Sequence, residues 1–200
     1  MVRVLAVADE MSESVRSERV REMRPDVVLS AGDLPWDYLE DLVSEFAVPA
    51  AFVPGNHEPE VGSAPRGMID LDGRVGDVGG LRVAGLGGCV HYNGGAHQYT
   101  QEEFEQRAAR LLADAGRIDV LLTHAPPLGL GDEADPAHVG VAALHRVIEA
   151  LRPPWHLHGH IHPYGMRKPD RQLGDTTIRN VIPWQIIDIT VREEGSADGS

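Results

Sequence analysis

Cysteine is almost missing: Cys89 is the only one in 200 residues. That excludes an intrachain disulfide and any metal site built from several thiolates, and it fits a reducing compartment. Positive charge is also short, with 18 Lys and Arg against 31 Asp and Glu and a net charge of −13. An acidic chain with no basic stretch rich in aromatics argues against a nucleic-acid partner. It does not exclude a small anionic substrate, because bound cations can invert the local field. No apolar run has the length of a transmembrane helix. The apolar opening Met1 to Ala8 is cut short by Asp9-Glu10, too soon for a signal peptide. The expectation is a cytoplasmic protein with no membrane partner.

What is present is ordinary core material. Apolar residues make up 42% of the chain, enough at this length for one domain, expected over 1–194, with the small polar Gly195 to Ser200 as a disordered tail. Arg3 to Ala8 reads as a buried strand that ends at Asp9. Ser12 to Met23 reads as a helix closed by Pro25. Val27 to Ser30 is a second strand, ending in Ala31-Gly32-Asp33. Pro35 to Phe46 is a helix whose Leu39, Leu42, Val43 and Phe46 share a face. Pro49 to Val53 is a third strand, followed by Gly55-Asn56-His57-Glu58.

Met68 to Asp70 and Arg74-Val75, around Asp72-Gly73, suggest a hairpin. Leu81 to Gly85 is a strand, and a glycine-rich loop follows from Gly87 to Tyr99. Thr100 and Glu103 form a capping box that opens a helix to about Ala113. Ile118 to Leu122 is a strand ending in Thr123-His124, and Gly140 to Leu151 is a helix. The chain closes with strands expected at Tyr164 to Lys168, Thr176 to Val181 and Gln185 to Val191.

Between these lies Trp155-His156-Leu157-His158-Gly159-His160-Ile161-His162, which holds four of the ten histidines. If the chain is extended at its end, His160 and His162 leave the same side. Two imidazoles near a turn suit a transition metal. The residues at the predicted strand ends are Asp9, Asp33, Asn56, His57, His124, His160 and His162. In an open α/β sheet that edge is where sites are built. An oxygen and nitrogen set without thiolates suits Mn, Fe, Zn, Ni or Co, and it is large enough for one or two ions.

Gly32-Asp33, Gly55-Asn56-His57-Glu58, His124 and Gly159-His160-Ile161-His162 occur in the order found in the calcineurin-like metallophosphoesterases, which the chain resembles from Val4 to about Ile189. The resemblance implies an α/β fold, a four-layer α-β-β-α sandwich of two mixed sheets flanked by helices. It implies that Asp33 bridges two ions, that Asn56, His124 and His160 complete one, and that Asp9 and His162 serve the other. It gives His57 the task of stabilising the transferring phosphoryl group and protonating the leaving oxygen, with Glu58 orienting His57.

One position departs from the family pattern. Where Asp-x-His is expected, the chain has Asp9-Glu10-Met11, and a thioether is a poor ligand for hard ions. Met11 is therefore expected to pack rather than ligate. His91 or His97 of the glycine-rich loop is a candidate replacement, and Arg66 and Arg167 are candidate phosphate contacts. The function expected is metal-dependent hydrolysis of a phosphate ester, a small phosphodiester on family analogy, by metal-activated water. The alternatives are a phosphomonoesterase, a nuclease, or a metal-binding or regulatory module without turnover.

Overall fold

The computed structural model describes residues 1–58, 64–166 and 168–191. The expected tail at 195–200 and Arg167 lie outside the described residues. Along the chain run β1 (Val2–Val7), a 3-10 turn (Glu13–Arg16), α1 (Glu18–Met23), β2 (Val27–Ser30), α2 (Trp36–Phe46), β3 (Ala50–Phe52) and β4 (Ile69–Asp70). Next come β5 (Val75–Val78), β6 (Leu81–Leu86), β7 (Cys89–Val90), β8 (Gln98–Tyr99), α3 (Gln101–Asp114) and β9 (Val120–Thr123). The last are α4 (Ala143–Leu151), β10 (Trp155–His158), β11 (Arg171–Leu173), β12 (Thr176–Asn180) and β13 (Trp184–Ile189).

Two mixed sheets form, in the orders β13-β1-β2-β3-β4 and β11-β12-β10-β9-β6-β5. Parallel pairing runs through the middle of both, and antiparallel pairs lie at β13, β11 and β5. Alternation along β1 shows why four layers result. Val4 and Ala6 point into a core shared with Val83, Val120, Leu122 and Leu157 of the other sheet. Leu5 and Val7 point the other way, against Leu39 and Leu42 of α2. On the far side, Leu121 and Ile178 meet Phe104 and Leu111 of α3 and Leu144 and Ile148 of α4. A strand covered on both faces needs apolar residues in succession, which is what the parallel strands carry.

Three expected elements differ. The helix over Ser12 to Met23 is broken at Ser17, whose backbone is extended. Ser12 and Ser14 bond each other through their hydroxyls, and Ser14 also accepts from the Trp184 indole; serine competes in this way with helical hydrogen bonding. No hairpin closes around Asp72-Gly73. β4 pairs with β3 in one sheet, while β5 pairs with β6 in the other. The chain crosses between sheets here, because buried Leu71 anchors the inter-sheet core and Asp72 takes Gly87 N–H and the Arg107 guanidinium. Tyr164 to Lys168 holds no strand among its described residues. Pro163 and the left-handed Tyr164 and Gly165 turn the chain there, and Tyr164 is exposed. β11 lies further on and pairs with β12 across Gly174-Asp175.

The glycine-rich loop is more ordered than its composition suggests. β7 and β8 pair in parallel within it, and Arg107 lies 3.9 Å over the Tyr99 ring and donates to the Gly87 carbonyl. The capping box at Thr100 and Glu103 forms as expected. Among the described residues no helix is long and apolar enough to cross a membrane.

Candidate metal centre

The carboxyl ends of β1, β2, β3, β9 and β10 meet along one edge, where hydrogen bonds tie the two sheets together. His160 N–H donates to both Asp9 oxygens at 3.1 and 3.0 Å, and the His124 ring bonds the Ala31 carbonyl at 2.8 Å. The backbone is unusual at these positions. Asp9, Asp33 and His160 sit at φ of 59°, 57° and 66°. Outside helix ends, side chains rarely adopt this left-handed region, and such strain collects at functional sites. The motif glycines have a steric reason. A Cβ on Gly55 would collide with the Asp33 carboxylate, and one on Gly159 with that of Asp9.

Each candidate imidazole has one nitrogen committed outward. The His124 Nδ1–H donates to Ala31, so Nε2 carries the lone pair. That Nε2 lies 3.0 Å from Asn56 Oδ1 and 3.3 Å from Asp33 Oδ2. Asn56 presents its oxygen because its amide nitrogen donates to the Tyr92 hydroxyl at 3.3 Å. Three acceptors facing one another require a cation between them, and a proton or a metal ion can supply it.

The acid-base balance reflects this. Burial works against a charged His124, but Asp33, Asp9 and Glu58 outweigh it and raise its pKa to about 10. Burial also opposes ionisation of Asp33, yet His124 and its hydrogen bonds hold that carboxyl well below the usual range. Asp9 is pushed up to about 6 by burial and by the Asp33 charge, with His124 acting in the opposite sense.

The other two histidines follow the same rule. The His160 ring donates through Nε2 to the Ala137 carbonyl at 2.8 Å, which leaves Nδ1 unprotonated. Burial and the nearby His124 lower its pKa to about 3. The His162 Nδ1 bonds Glu10 Oε1 at 2.9 Å, and its Nε2 stands 3.9 Å from Asp9 Oδ1. Such outer partners fix the tautomer and direction of a ligand ring. The extended chain expected at His160 is not formed: its backbone is left-handed, at φ 66°. His156 and His158 are buried in β10. The first bonds Thr123 and the second the Gly159 carbonyl, and burial lowers both pKa values.

Asp9, Asp33 and His124 offer ligand atoms that all lie within 4.8 Å of one another. Asn56 joins them through its contact with His124. His160 reaches Asp9 through its backbone N–H, with its ring 4.8 Å from that of His124, and His162 Nε2 stands 3.9 Å from Asp9. Asp9, Asp33, Asn56 and His124 therefore fit a metal centre in donor chemistry and convergence, and the His160 and His162 rings border it. Another acidic group, Glu133, Asp135 and His138, meets the same distance criterion. Its charges are matched locally, Glu133 by Lys168 and Asp135 by His138.

His57 is exposed above Asp33. Its backbone N–H donates to Asp33 Oδ1 at 2.9 Å, and its Nε2 lies 4.0 Å from Oδ2. Glu58 differs from expectation. Its two oxygens accept from Asp33 N–H at 2.7 Å and Gly55 N–H at 2.5 Å. It clamps the two loops that carry the ligands and does not orient the His57 ring. Burial and the Asp33 charge push its pKa up to about 8.

Met11 is 64% exposed and so does not pack as expected. His91 and His97 are not members of the group formed by Asp9, Asp33 and His124. Arg66 is paired with Glu40 through two side-chain bonds and is not turned to the centre. Tyr92 was not legible as a site residue. The signal was only its place in a glycine-rich loop, which the pairing of β7 with β8 carries to Asn56.

A family model described as calcineurin-like phosphoesterase matches residues 5–164. The fold is similar to that of TT1561 of Thermus thermophilus, with a TM-score of 0.61 and 18% identity over 90% of this chain and 88% of that one. Another crystal structure has a TM-score of 0.65 at 18% identity, covering 89% of each chain. Wild-type Vps29 complexed with zinc, from Entamoeba histolytica, has a TM-score of 0.46 at 16% identity over 89% of this chain and 72% of that one. No curated protein sequence matches the chain.

Proposed function

The chain belongs to the calcineurin-like phosphoesterase family, and on that premise we propose that it hydrolyses a small phosphodiester in a metal-dependent reaction. The observation that carries the reading is the convergence of Asp33 Oδ2, Asn56 Oδ1 and His124 Nε2, a trio that without an ion is held together only by a proton on His124. Asp33, Asn56, His124 and His160 would hold one ion, and Asp9, Asp33 and His162 a second. When bound, such ions supply Lewis acidity and an activated water. The chain's own residues do the rest. His57 stands exposed beside Asp33, where it meets the phosphoryl oxygens and gives a proton to the leaving oxygen. Glu58 keeps the Asp33 and Asn56 loops in register, and Tyr92 keeps the Asn56 oxygen turned inward.

A diester is favoured over a monoester by charge. A monoester dianion calls for additional cations, whereas Arg66 is engaged by Glu40 and Lys168 by Glu133. The missing histidine at Met11 favours a second reading, a centre that binds metal without turnover. One experiment separates them: metal content of protein purified without chelator, paired with hydrolysis of bis-p-nitrophenyl phosphate and p-nitrophenyl phosphate under Mn titration. The proposal expects Mn-dependent turnover that is faster on the diester. Saturated metal with no turnover on either ester would replace it with the binding module.

A further inference from the structure

The ground beside the centre is not uniform in chemistry. After Asp33 the chain continues as Leu34-Pro35-Trp36 into α2. These three residues, with Asp33, His57 and Glu58, line a cavity of about 390 Å³. That is the size of a small-molecule subsite. Its polar members are those of the metal centre, and the rest of the lining is apolar. Leu34 is buried, Trp36 is half-buried and Pro35 is exposed. The Trp36 indole N–H is itself buried and has no partner among the described residues. The ring therefore presents carbon to the cavity and keeps its donor hidden. No lysine or arginine is among the described residues of this lining.

The cavity on the Glu10 side differs from it. It has about 310 Å³ and a mixed lining, with Glu10, Lys168 and Asn180 beside Met166, Ile182 and Pro183. An ester that spans the centre thus meets an apolar wall on the Asp33 and His57 side and a mixed, charge-bearing one on the Glu10 side.

We propose that the cavity beside His57 seats a planar aromatic group of the phosphoester, lying against Trp36 and Pro35 while its phosphoryl end reaches Asp33 and His57. This rests on the phosphoesterase reading above and adds the class of organic group the substrate carries. The reason is the character of the wall: a flat indole and a prolyl ring beside a phosphate-directed centre, with no lysine or arginine among its described residues to hold a peptide carboxylate. Burying an aromatic ring in an apolar pocket strengthens binding by about tenfold or more.

The test uses phosphinates, whose two carbon–phosphorus bonds resist hydrolysis and whose single negative charge matches a diester, on the Mn-loaded full chain. Dimethylphosphinate and methyl(naphthylmethyl)phosphinate are titrated by calorimetry and by tryptophan fluorescence against wild type, Trp36→Ser and Trp36→Phe. The expected result is metal-dependent binding of both, with the naphthyl compound about tenfold tighter in wild type. That gap narrows to about twofold in Trp36→Ser and is kept in Trp36→Phe. Fluorescence quenching by the naphthyl compound should disappear in Trp36→Phe although binding persists, a readout that does not depend on how well the serine variant folds. Equal affinity for the two compounds in wild type, or quenching unchanged in Trp36→Phe, overturns the proposal. Absence of metal-dependent dimethylphosphinate binding would instead remove the phosphoesterase reading, and the subsite with it.

Discussion

The candidate ligand side chains owe their orientation to neighbouring atoms outside the set proposed to hold metal. Glu10 holds His162 through Nδ1, and Tyr92 holds Asn56 through its amide nitrogen. Removing such a partner typically weakens metal binding by about 10- to 100-fold. Glu10→Gln and Tyr92→Phe should each raise the Mn dissociation constant into that range, measured by competition with a chromophoric chelator, without a comparable loss of thermal stability. Asp33→Asn should be more severe, since it removes the carboxylate shared by the whole cluster, and metal should fall below one ion per chain by elemental analysis. Cys89 makes a separate point. Burial pushes its thiol up to about 12, so it stays protonated at neutral pH and the thiolate that reacts is absent. Reaction with a disulfide reagent at pH 8 should be slow in the native protein and fast in urea.

The glycine-rich loop and α3 behave as one element. Arg107 reaches from the helix to Asp72, to the Gly87 carbonyl and to the face of Tyr99. Arg107→Met should destabilise the protein by about 2 kcal/mol, the scale of a charge-assisted hydrogen bond left unmade. It should also weaken metal binding, because Tyr92 rides on the same loop; a thermal melt and a Mn titration read the two effects separately. Thr100→Ala, which removes the cap of that helix, should cost about 1 kcal/mol and leave metal binding unchanged. A glycine-rich composition leaves open whether this segment is mobile or approaches a ligand closely. It did not say that the segment pairs with itself and delivers a tyrosine to Asn56, because that depends on Arg107, a residue of the helix beyond the loop.

At the scale of the whole molecule, the centre links stability to pH. His124, Glu58 and Asp9 have pKa values raised to about 10, 8 and 6. Each binds its proton more tightly folded than unfolded. Without metal they therefore support the fold at low pH and withdraw that support as pH climbs from the ordinary carboxylate value of 3.8, where Asp9 begins, to about 10, where His124 ends. Asp33 acts in the opposite sense, but only below the usual carboxylate range. Chelator-treated protein should lose thermal stability across that window. The gain on adding Mn should grow with pH, because the ion replaces the protons. Melting curves with and without chelator at several pH values check both statements.

The order of strands and helices, the apolar runs buried on both faces and the positions of Asp9, Asp33, Asn56, His124 and His160 at strand ends were determined by the sequence itself. Those features follow from local periodicity and from short motifs whose glycines have a steric cause. Which sheet each strand joins was decided only in three dimensions: Asp72-Gly73 looks like a hairpin, yet Leu71 and Arg107 draw its two arms into different sheets. The same holds for the roles of Glu58, Glu10 and Tyr92, and for the apolar wall at Trp36. Each rests on a contact between segments far apart in the chain, and no local pattern encodes which distant atom a carboxylate or a ring will meet.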